Sequence, residues 1–79
     1  MNVIHAAYEA WIAADDAWAT ELHRQFGKNA VIARYTPDGS GRFDDGPDGL
    51  ELRRLSASFD SCRDTYFALI EYNRELEAI

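Results

Sequence analysis

One cysteine, one methionine, two prolines and a single lysine are scarce supplies for a chain of 79 residues, and each scarcity removes a class of protein. A lone cysteine excludes an internal disulfide framework, the usual staple of so small a domain. No run of 18 apolar residues occurs, so no segment reads as a membrane span, and no cationic-then-apolar leader opens the chain. The simplest expectation is a soluble cytoplasmic protein. Bases are also few: seven arginines and Lys28 stand against fourteen acids, for a net charge of −6 and a pI near 4.6. That balance repels a free duplex or an anionic membrane, so direct nucleic-acid binding is disfavoured and basic protein surfaces are attracted.

Chemical motifs are missing as well. Gly39, Gly41, Gly46 and Gly49 miss the spacing of phosphate-binding loops, and no Gly-Lys-Ser/Thr follows them. The acids Asp38, Asp44, Asp45, Asp48 and Glu51 invite a calcium reading, but an EF-hand begun at Asp38 would place Ser40 and Arg42 at its third and fifth positions. His5 and His23 lie five helical turns apart, about 27 Å along one helix, too far to share a metal. No metal and no cofactor is expected. Asp60 and Asp64 are one turn apart with Arg63 between them, the pattern of a solvated ion-paired face. Asp15 falls beside Trp11 and Trp18, where it is expected to bond a tryptophan N–H, bond an arginine or face a partner. Cys62 reads as a buried structural thiol.

What the chain does have is periodicity. Leu52, Leu55, Phe59, Cys62, Tyr66, Leu69, Asn73 and Leu76 recur alternately three and four residues apart, the seam of an amphipathic helix. Ile4, Ala7, Trp11, Ala14, Trp18 and Leu22 repeat the pattern near the N-terminus. These stripes predict one all-α domain over residues 1–79, an antiparallel two-helix hairpin with a helix at 3–26, a connector at 27–48 and a helix at 49–77. Asn2 serves as first N-cap, Gly27 as the stop, and Asp48 with Glu51 as a capping box for the second helix. The first helix would be about 36 Å long and the second about 42 Å. Within the connector, Ala30–Thr36 suits either a short strand or a further helical turn. As a strand, Arg34-Tyr35 would pair with Arg42-Phe43 across the turn Pro37-Asp38-Gly39-Ser40-Gly41 as a small β-hairpin.

The second helix carries more apolar surface than one partner helix covers. Phe67 and Ile70 stand beside the seam and Tyr72 widens it on the other flank, so the connector, a second copy or a foreign partner must cover them. Dimerisation into a four-helix bundle is the leading structural expectation.

The leading functional reading is a non-enzymatic protein-interaction module that meets a basic partner surface. Its acidic contacts are Asp38, Asp44, Asp45 and Asp48 at one end and Glu71, Glu75 and Glu77 at the other. Its apolar contacts are Phe67, Ile70 and Tyr72. In size and charge the chain is similar to phage-encoded inhibitors such as anti-CRISPR proteins, which implies occlusion of a nucleic-acid-binding surface on another protein. A structural or regulatory homodimer is the second reading. An enzyme using Asp15, His23 and arginines across a dimer interface is the third.

Overall fold

The computed structural model describes residues 2–36, 39–41 and 46–78. Helix α1 spans Val3–Phe26, a short α2 spans Ala30–Arg34, and α3 spans Pro47–Glu77; a single 3₁₀ turn, Gly27–Asn29, joins the first two. Seven alanines favour α1, and Asn2 caps it by accepting a hydrogen bond from the Ile4 N–H at 2.8 Å. At the other end Gly27 takes φ +57° and donates its N–H to the His23 carbonyl, so the expected stop is in place.

Residues 30–34 take the helical alternative rather than the strand. Arg42 and Phe43, the other arm of the expected β-hairpin, lie outside the described residues, and no strand occurs among the described residues. The second long helix starts two residues before its expected position. Its N-cap is Gly46, followed by Pro47 at the first helical position, where a fixed φ and a missing N–H cost nothing. The Asp48–Glu51 capping box is therefore a correction. The Glu51 carboxylate is held instead by Arg54, at 2.6 and 2.9 Å.

The long helices run antiparallel: Trp18 meets Phe59, while Trp11 and Tyr8, further back along α1, meet Tyr66, further on along α3. The hairpin measures 49 × 21 × 19 Å. No described helix is long and apolar enough to cross a membrane.

Burial is uneven along that axis. Trp18, Leu22, Ala30, Ala33 and Leu52 form the buried core, with Phe26, Leu55 and Phe59 packed against it. All lie towards the connector end. There α2 packs against α1, where its small residues Ala30 and Ala33 allow a close approach. Arg34 fastens it. Its guanidinium is ion-paired with Asp15 and sits 4.3 Å from the Trp18 ring centroid and 5.2 Å from that of Phe59. The loop after α2 closes the same end: Trp18 Nε1 donates to the Gly39 carbonyl at 3.1 Å, Ser40 is fully buried, and the Gly41 N–H donates to Thr36 Oγ1 at 2.8 Å.

One surface carboxylate contributes a pH dependence. Glu21 accepts from Arg24 Nε at 2.8 Å and from Gln25 Nε2 at 2.7 Å, and these bonds, Arg24 first, lower its pKa from 4.5 to about 2. A carboxylate depressed by folding stabilises the fold above its ordinary pKa and loses that contribution as pH falls through the folded value. Melting temperatures should therefore drop between pH 4.5 and about 2, and Glu21→Gln should flatten that acid limb. Added salt should shrink the difference, because Arg24 is largely exposed. An acid limb identical in the two proteins would show that these bonds do not persist in solution.

Candidate interaction surface

The end away from the connector, where α1 begins and α3 finishes, is built differently. Trp11 is the hub of an aromatic cluster, with ring centroids 6.2 Å from Tyr8, 5.4 Å from Tyr66, 5.6 Å from Phe67 and 6.3 Å from Phe59. This cluster is only partly covered: Phe67 is 54% exposed, Ile12 47% and Tyr8 45%. Among the described residues, the Trp11 indole N–H is a buried donor without an acceptor, in contrast with that of Trp18. An unmade hydrogen bond of this kind costs about 1–3 kcal/mol.

The exposed residues share one flank of the hairpin. On α1, Tyr8, Ile12, Asp15 and Ala19 follow at helical spacing; on α3, Phe59, Arg63, Phe67 and Ile70 do the same. The identity of the flank is fixed by its covered half. Asp15 and Phe59 are held by Arg34 of α2, and Ala19 lines a recess with Ala30 and Val31 of α2. A single groove thus runs along the hairpin. Helix α2 covers the α1 side of the connector half through Ala30, Val31 and Arg34, and beyond it Tyr8, Ile12 and Phe67 are about half exposed.

Charge follows the same division. Helix α1 as far as Asp16 and α3 from Asp60 together hold Glu9, Asp15, Asp16, Asp60, Asp64, Glu71, Glu75 and Glu77 against Arg63 and Arg74. That is a net of −6, the charge of the whole chain; residues 17–59 balance, six acids against six bases. The two arginines are already engaged, Arg63 with Asp60 at 3.4 Å and Asp64 at 3.2 Å, and Arg74 with Glu71 at 3.4 Å.

The residues expected to contact a partner are therefore distributed unequally. Glu71, Glu75 and Glu77 are exposed on the last turns of α3, with Glu77 accepting from Asn73 Nδ2 at 3.3 Å. Phe67 lines the open groove, Ile70 beside it is half-buried, and Tyr72 is exposed on the opposite flank of α3. Asp48 lies at the other end of α3, about 34 Å from Glu71 by helical rise. There Arg24 faces it at 3.6 Å. Asp38, Asp44 and Asp45 lie outside the described residues. Tyr8 and Ile12 belong to the same surface as Phe67 and are additions to the sequence reading.

Other candidate chemistry is dispersed. Asp15 bonds an arginine, as one of its expected roles had it, but the arginine is Arg34 of α2. His5 faces Glu9 at 3.1 Å on the surface, and Cys62 is half-buried on the seam. His23 borders a shallow recess of about 250 Å³ including its mouth, lined otherwise by Ala19, Leu22, Ala30, Val31 and Arg34. That volume falls below the usual range for small-molecule sites, and the lining is mostly apolar. Among the described residues, no group of three or more His, Cys, Asp or Glu is placed to hold a metal ion. No protein-family model, no curated protein and no solved structure matches this chain.

Proposed function

We propose that this chain is a small acidic, non-enzymatic interaction module that binds a basic surface of a partner protein through its open end. The observation that supports the reading is coincidence: α1 as far as Asp16 and α3 from Asp60, which carry the half-exposed Tyr8, Ile12 and Phe67, also carry eight acids against two bases. Exposed apolar area contributes affinity, and the surrounding acids steer and select a cationic partner. If the partner uses that basic surface for nucleic acid, binding would act as inhibition by occlusion.

The same apolar residues serve the alternative, a homodimer in which Phe67, Ile70 and Tyr72 close a four-helix bundle. Charge weighs against it, since two copies meeting at this end would set eight acids against eight.

A photo-cross-linking residue in place of Tyr8, used in an extract of the source organism, identifies the partner; titration calorimetry with the purified partner then tests the reading. Affinity should fall at least roughly tenfold between about 50 and about 500 mM NaCl, and similarly with Glu71→Lys plus Glu75→Lys. An affinity indifferent to salt and to charge reversal would sink the proposal. Light scattering that shows a dimer at all concentrations, lost on Phe67→Asp, would favour the homodimer.

A further inference from the structure

The groove on the α2 flank has a shape that names its occupant more closely. Helix α2 packs on α1, ends after Arg34, and reaches Asp15, Trp18 and Phe59 through the Arg34 guanidinium. Beyond it the flank continues with Tyr8 and Ile12 on α1 and Phe67 and Ile70 on α3, and Tyr8, Ile12 and Phe67 are about half exposed. From Asp15 back to Val3 the uncovered length is about 18 Å, the rise of three turns of helix. Trp11 lies beneath this gap with its N–H unpaired, so the cluster is not a finished core.

We infer that the partner contributes an amphipathic cationic helix of about three turns, which lies along this flank over Tyr8, Ile12 and Phe67. The inference rests on the proposed interaction role. Apolar side chains of that helix at i, i+3 and i+7 would cover Ile12, Trp11 and Phe67. Its lysines or arginines would face the acids flanking the gap, Asp16, Asp60 and Glu71. A second copy of this chain is disfavoured as the occupant because it would bring like charge, and an acidic or neutral helix would leave the carboxylates without partners.

The test uses the intact protein and synthetic 14-residue peptides of helical period: leucine with lysine, leucine with glutamine, and leucine with glutamate. Two-dimensional ¹H–¹⁵N NMR gives two indole signals that separate the ends of the molecule. The lysine peptide is expected to bind one to one, moving the Trp11 indole signal and the amides of Ile12 and Phe67 while leaving the Trp18 indole in place. Ile12→Ser and Phe67→Ser, both at half-exposed positions, should weaken it at least tenfold while the protein still melts cooperatively and the Trp18 indole signal stays in place; Ile32→Ser, on the outer face of α2, should not weaken it.

Equal binding of the glutamine peptide, shifts scattered over the acidic surface without saturation, or no binding of the lysine peptide would each overturn the inference. The two proposals fail separately. A basic partner whose cross-links avoid the Tyr8, Ile12 and Phe67 flank would leave the interaction role standing and remove the helix-in-groove mode.

Discussion

Leu52→Ala should destabilise the protein by about 3–5 kcal/mol, the upper part of the range for a leucine truncated in a core that cannot collapse around it. Leu52 has no exposed surface and belongs to a core of five residues, so few neighbours are free to move into the space. A chain of this length has a total stability of about 4–12 kcal/mol, and the melting temperature should fall by about 12–40 °C. Phe67→Ala, at the open end, removes more atoms yet should cost less than about 1.5 kcal/mol, because much of that ring is already in water. Urea unfolding followed by circular dichroism compares the two. Equal losses would mean that the open end is as well buried in solution as the connector end, which self-association would achieve.

That contrast marks the limit of what the heptad pattern conveys. Trp11 and Trp18 occupy equivalent positions in the repeat and read as equal seam residues. In the structure Trp18 is buried and bonded to Gly39, whereas Trp11 keeps an unpaired N–H under a half-open cluster. The difference arises from α2 and the loop after it, which cover one level of the seam and not the other. The long helices themselves were legible, since apolar period, the Asn2 cap and the Gly27 stop all agree. For α2 the local signals conflict: Val31, Ile32 and Tyr35 favour a strand, and the burial of Ala30 and Ala33 against Leu22 decides for a helix.

The candidate site was half legible. Phe67 and Ile70 stood out as surplus beside the α3 seam. Ile12 stands with Tyr8 and Asp15 at helical spacing, a second stripe on α1 that matches the surplus on α3. Arg34 as the partner of Asp15 was beyond reach, because nineteen residues and a change of helix separate them. Nor did the even spread of acids along the chain show their clustering. An antiparallel fold superimposes the first sixteen residues on the last twenty, and only then does the whole net charge collect at one end.

Gly39→Ala should destabilise the protein by about 2–5 kcal/mol. Gly39 has φ +71°, where an alanine costs about 1–2 kcal/mol on conformation alone. Its added Cβ would press against Ser56 Oγ and lie 2.8 Å from Ser56 Cβ and 2.9 Å from Trp18 Cζ2, so the loop must lift, at a further 1–3 kcal/mol or so. Lifting it also withdraws the carbonyl that accepts from the Trp18 indole. Gly27→Ala is the matched control. It too has positive φ, +57°, but nothing lies within 4 Å of the new methyl, so it should carry the conformational cost only. Thermal melts give the difference between the two, which measures the close approach of the loop to α3. The indole signals then locate the damage: Gly39→Ala should move the Trp18 resonance and spare that of Trp11. Movement of both by similar amounts would mean that the connector end and the acidic groove unfold as one unit, and that stability at one end can be traded against binding at the other.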